Sequence, residues 1–148
     1  MPSKRKRLVE LTFPSIFGYE KVAMATVAAY ARRHGIVGEK ANDLCTAVAE
    51  ACVNAIEYGN QAEASVPVTV HLSVDGHRLI VEVRDHALGE TRPYMGTMVD
   101  LNHPPTGPHG NMGLFLIYSL MDEVNIVCQP HGTRIHMAMR LPAAVTAS

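Results

Sequence analysis

The 148-residue sequence contains no apolar run approaching the roughly 20 residues that span a bilayer as a helix. Its basic start is not followed by the apolar region of a signal peptide, so the expected location is the cytoplasm. Charge of one sign is also missing: 13 Lys and Arg against 14 Asp and Glu leave a formal net charge of -1. That balance gives no general reason to expect a nucleic acid or an anionic membrane as partner. The one local excess, Lys4-Arg5-Lys6-Arg7, reads as a solvated, frayed end. Cysteine is scarce and odd in number. Cys45, Cys52 and Cys128 show no CxxC spacing, which supports neither a disulfide framework nor a zinc site. Cys45 and Cys52 fall on one face of an expected helix and read as small core residues. Internal repeats, low-complexity blocks and a second domain are absent as well.

What is present suffices for one core. With 47% hydrophobic and 18% charged residues, the expectation is a single domain over residues 1–148, with its core at about 8–141. Leu8 to Phe13 predicts a strand closed by Pro14, with Ser15 capping a helix from about Ile16 to His34 that stops at Gly35. Val22, Ala25, Ala29 and Arg33 fall near one side of it. A second helix is expected from Gly38 to about Tyr58, where Ala41, Leu44, Cys45, Val48, Cys52 and Ala55 keep the helical period and Gly59-Asn60 ends it.

Two alternating runs follow, Val66 to Val74 and Leu79 to Val83, joined by the hairpin signal Asp75-Gly76. From about 86 to 110 the periodicity disappears among four prolines, and a loop of that length is expected to be a functional lid. A buried helix from about Asn111 to Met121 and a last hairpin, Val124 to Cys128 with Thr133 to Leu141, complete the pattern; the tail beyond Pro142 is expected to be unstructured. Three helices on one face of a mostly antiparallel sheet make an α+β two-layer sandwich.

Several polar residues stand out against this frame. Glu50 and Asn54, at i and i+4, project from one helix face, placed opposite the Leu44/Val48/Cys52 stripe. For that pair alone a solvated face is an equal reading. Asp85 continues the parity of Leu79, Val81 and Val83, so it points to the apolar layer, where a carboxylate needs a partner. An acceptor-only group there suits the exocyclic amine of adenine and opposes the carbonyl of guanine. The junction His109-Gly110-Asn111-Met112-Gly113 puts small residues at a helix start, where backbone N–H groups and the helix dipole favour an anion. Thr133 shares the inward parity of Ile135, Met137 and Met139, which sets it beside Asp85 if those strands are neighbours.

These segments, in this order, resemble the Bergerat-type GHKL ATPases (the histidine kinase-like fold), and among them the anti-sigma-factor serine kinases of the RsbW type. Glu50-Ala-Cys-Val-Asn54-Ala-Ile resembles the N box and Val83-Arg-Asp85-His-Ala-Leu-Gly89 the first glycine box. Asn111-Met-Gly113-Leu-Phe-Leu-Ile, running on to Met121-Asp-Glu-Val124, resembles the second, and Gly132-Thr133 the last. The resemblance implies an ATP- and Mg2+-dependent protein serine/threonine kinase that phosphorylates a STAS-type anti-sigma antagonist and sequesters a sigma factor. It implies no direct contact with nucleic acid or membrane. Glu50 would be the catalytic residue, orienting or deprotonating the attacking hydroxyl. Asn54 would hold Mg2+, Asp85 and Thr133 would read adenine, Gly89 would let backbone pass close to the base, and Gly110, Asn111 and Gly113 would donate to phosphates. The first helix would carry sigma-binding and homodimer surfaces, with Tyr19 and Lys21 as exposed candidates. Ala87 and Asn111 stand where the family pattern has glycine, and His109 where related lids often carry Arg. An Ala at a position needing positive φ costs on the order of 1 kcal/mol. These departures motivate an alternative, a catalytically degenerate nucleotide-binding module that regulates its partner by binding only.

Overall fold

The computed structural model describes residues 6–86, 102 and 112–143. The expected lid, with Ala87, Gly89, His109, Gly110 and Asn111, lies outside the described residues apart from His86 and Asn102, as do Lys4, Arg5 and the chain beyond Ala143.

Strand β1 (Lys6–Pro14) takes in the end of the basic run that was expected to fray, because Lys6 pairs with Val74, with a register shift before Val9. Helix α1 (Glu20–Arg33) begins later than expected. Ser15 does not cap it: its hydroxyl donates 2.6 Å to the Val66 carbonyl instead. The Glu20 carboxylate accepts from the Gly18 N–H at 2.6 Å and supplies negative charge to the first turn, while Arg32 and Arg33 complement the dipole in the last. The stop at Gly35 is a Schellman closure, Ile36 N–H to Ala31 O at 2.9 Å and Gly35 N–H to Arg32 O at 3.1 Å. The buried stripe of α1 is Ala23, Val27, Tyr30 and Ala31, one position round from the expected one, and Val22 is exposed.

Helix α2 (Gly38–Asn54) runs on as a single π-helical turn over Ala55–Gly59. Strands β2 (Pro67–Asp75) and β3 (Arg78–Arg84) form the expected hairpin. Helix α3 (Met112–Leu120) precedes β4 (Glu123–Gln129) and β5 (Gly132–Arg140). The strands lie in the order β1-β2-β3-β5-β4, every pair antiparallel. Alternation places Val68, Val70, Leu72, Leu79, Val81, Val83, Ile135, Met137 and Met139 on one face, where α1, α2 and α3 cover them. The fold is therefore the α+β two-layer arrangement expected. No helix among the described residues is long and apolar enough to cross a membrane.

Candidate functional site

Extending β3 by one residue brings Asp85 to the helix-covered end of the sheet, where it is 1% exposed. Because β5 is the neighbour of β3, the backbone of Asp85 donates to the Thr133 carbonyl at 3.0 Å and the Thr133 N–H returns 3.0 Å to the Asp85 Oδ1. Thr133 is equally buried, and its hydroxyl lies 3.9 Å from the Cys128 thiol. Two glycines make room for the carboxylate. A Cβ at Gly59 would overlap Asp85 Oδ2, and one at Gly132 would overlap the Asp85 carbonyl oxygen. Gly59 closes the π turn, so the extra residue in that turn is what sets a bare backbone against the acid. Such turns recur where a helix must deliver backbone to a site.

The amide of α2 is placed differently from the expectation. Ala47, Ala51 and Asn54 follow at spacings of four and three, and all three are buried. Asn54 therefore sits at the margin of the core stripe rather than opposite it. Its side-chain NH2 has no hydrogen-bond partner among the described residues, although the residue is 4% exposed. An unanswered amide in that position costs on the order of 1–3 kcal/mol. Glu50, one turn earlier, is half-buried. Gly113 is the second residue of α3 and half-buried. Of the residues singled out from sequence, Asp85 and Thr133 are in direct contact and Glu50 and Asn54 share α2; Gly89, Gly110 and Asn111 lie outside the described residues.

Sequence reasoning passed over the other polar residues of this corner. Asn60, read only as a helix stop, is 3% exposed and bonded on every side. Its Nδ2 donates to Ser15 Oγ (2.9 Å), Pro67 O (3.0 Å) and, at 3.3 Å, Val66 O, and its Oδ1 accepts the His86 N–H at 3.0 Å. The His86 ring nitrogen Nε2 lies 3.0 Å from Thr69 Oγ1. A Gly-Asn pair after a helix looks like any turn in one dimension, so no local pattern marked it.

A buried carboxylate held by a backbone N–H, beside a bare glycine, can recognise a donor edge of a flat ring. A buried amide with spare bonding capacity one helix away can take a hard ligand. Comparison with known proteins identifies the family. Residues 15–139 match the histidine kinase-like ATPase domain, and the chain belongs to that family. Among its relatives, a serine-protein kinase RsbW of Bacillus velezensis is 32% identical over 125 residues, 80% of this chain and 76% of the relative. An anti-sigma F factor of Anoxybacillus flavithermus is 27% identical over 134 residues, 90% of this chain and 92% of the relative. The fold is shared with a structure containing the RsbU and RsbW domains of Rv1364c from Mycobacterium tuberculosis, at TM-score 0.62 and 19% identity over 96% of this chain. This chain spans 35% of the length of that one.

Proposed function

We propose that the chain is one ATP-binding domain acting as a protein serine kinase and anti-sigma factor, which phosphorylates a small antagonist protein and sequesters a sigma factor. The observation that carries the proposal is the Asp85 corner. A carboxylate excluded from water, bonded to the Thr133 N–H and facing Gly59, offers acceptor character to the adenine amine. Family membership supplies the nucleotide class, and the names of the relatives at 27–32% identity supply the kinase and anti-sigma roles.

The residues then divide the work. Asp85 and Thr133 orient the base. The half-buried Glu50 accepts the proton of the attacking serine hydroxyl as its oxygen bonds to the γ-phosphorus and the bond to the β–γ bridging oxygen breaks, releasing ADP. Asn54 fits a Mg2+ ligand, since its side-chain NH2 is the buried side-chain group of α2 without a hydrogen-bond partner among the described residues, and the amide can turn to present its oxygen. When bound, Mg2+ would neutralise charge on the phosphates. Gly113, Gly110, Asn111 and Gly89 complete the proposed nucleotide contacts. Exposed Ile16, Phe17, Tyr19 and Val22 form an apolar group at the start of α1, suited to a protein partner, with Lys21 exposed beside them.

Transfer of labelled γ-phosphate to a serine of the co-encoded antagonist tests the proposal. Glu50→Ala should retain ATP binding and lose at least about a hundredfold in transfer rate. ATP binding without any transfer by the unaltered protein would instead establish the binding-only alternative.

A further inference from the structure

Asn60 is the last residue of the helical segment to lie inside the protein, and it joins four parts of the chain at one point. Its backbone N–H donates 2.8 Å to Ala55 O, five residues back, and thereby closes the π turn that delivers Gly59 to Asp85. Its Nδ2 ties the end of β1 at Ser15 to the start of β2 at Val66 and Pro67. Its Oδ1 takes the backbone N–H of His86, the residue immediately after Asp85. The two residues that follow, Gln61 and Ala62, both have positive φ, at 52° and 55°. For side-chain-bearing residues such backbone costs on the order of 1–3 kcal/mol each and persists only where the surroundings over-determine it. A plain helix stop requires neither a buried amide nor that strain.

We infer that Asn60 is a positioning residue for the nucleotide site, fixing Asp85 from both sides, through Gly59 against its carboxylate and through the His86 N–H next to its backbone. The inference rests on the reading of Asp85 as the adenine acceptor. The two sides of the Asn60 amide separate its roles. The NH2 side faces β1 and β2 and holds structure together. The Oδ1 side faces His86 and holds the acid. With Oδ1 removed, the β3 exit keeps the Thr69–His86 contact and the β5 pairing, but loses the bond that sets its backbone position. Discrimination between an amine and a carbonyl on a purine depends on that position, because donor and acceptor must meet within a few tenths of an ångström.

Three variants and two readouts test it: ATP and GTP dissociation constants by calorimetry, and thermal unfolding. Asn60→Ala removes both sides and should weaken ATP binding roughly tenfold while leaving the weaker GTP binding nearly unchanged, so that the ATP:GTP preference falls by about the same factor. Asn60→Asp keeps the acceptor for His86 and loses the donors, so it should unfold at a lower temperature yet retain the unaltered protein's ATP:GTP preference. Ser15→Ala removes one partner on the structural side and should lower the unfolding temperature with no change in preference. An unaltered ATP:GTP preference in Asn60→Ala would overturn the inference while leaving the nucleotide-site reading standing. Loss of preference in Ser15→Ala equal to that in Asn60→Ala would overturn it too, since stability alone would then explain the effect. Failure of the unaltered protein to prefer ATP would overturn the Asp85 reading itself, and the inference with it.

Discussion

On the helix-covered face of the sheet Val70, Leu72, Leu79, Val81, Met137 and Met139 are excluded from solvent, with no polar side chain among them. On the opposite face Glu10, His71, Glu82, His136 and Asn125 stand in register, one from each strand, in a single row across the sheet. The first four of that row alternate carboxylate with imidazole, and Asn125 ends it. Glu10 lies 3.3 Å from His71, and Glu82 lies 4.0 Å from His136 and 3.3 Å from Arg134 Nε. The first face is held by loss of apolar surface to water, and it admits polar groups only at its end, where Asp85 and Thr133 answer each other through backbone. The second face is held by pairing across strands: of Arg84 and Arg134, directly opposite each other, Arg134 faces the Glu82 carboxylate and Arg84 donates to the Gln129 side-chain oxygen at 3.5 Å.

The comparison can be broken by substitution. Leu72→Ala, on the covered face at 0% exposure, should destabilise by about 2–5 kcal/mol in chemical denaturation. A cost below that of any outer-face change would refute the division. Glu82→Gln, on the outer face but with its side chain 8% exposed, should cost about 1–3 kcal/mol, because it removes the charge that faces Arg134 and His136. That cost should shrink in high salt far less than one arising from exposed pairs.

Cys52 reports on the interior between the layers. Burial, with a smaller contribution from the charge of Glu20, holds its thiol far above the ordinary value of 9.0. The folded protein therefore keeps the proton where the unfolded chain loses it. The associated stability is fully present below about pH 9 and declines as the pH rises further, by at most about 1.4 kcal/mol per pH unit. Comparing denaturation at pH 8 and pH 10 with that of Cys52→Ala isolates the effect, and an equal decline in both proteins would assign it elsewhere. The smallest effect is expected at the exposed end of the outer row. His71→Gln, which removes the partner of a carboxylate side chain 58% exposed, should change stability by less than about 1 kcal/mol.

Much of this was legible in one dimension because periodicity reports burial directly. The alternation in β2 and β3 gave the antiparallel hairpin, its buried side and the inward course of Asp85, and the spacing in α2 gave its apolar stripe. Where a residue's surroundings come from distant chain, the same reading went astray. Ser15 has the chemistry of a cap, but β2 lies within reach and its Val66 carbonyl takes the hydroxyl. The helical period alone predicts Asn54 on the side of α2 away from the core, whereas the buried arc is wide enough to include it beside Ala47 and Ala51. Glu82 alternates like a solvent-facing residue, yet Arg134 and His136 from the neighbouring strand cover it.

By itself, then, the sequence determined the order of helices and strands, the sidedness of the sheet and the inward parity of Asp85 and Thr133, since each depends on a period of 2 or 3.6 residues carried by the local chain. The tertiary structure alone decided that β5 would lie beside β3, that a π turn would set Gly59 against a carboxylate, and that Asn60 would meet Ser15, Pro67 and His86. Those outcomes depend on which strands become neighbours and on how closely backbones approach, and both are fixed only when the whole core packs at once.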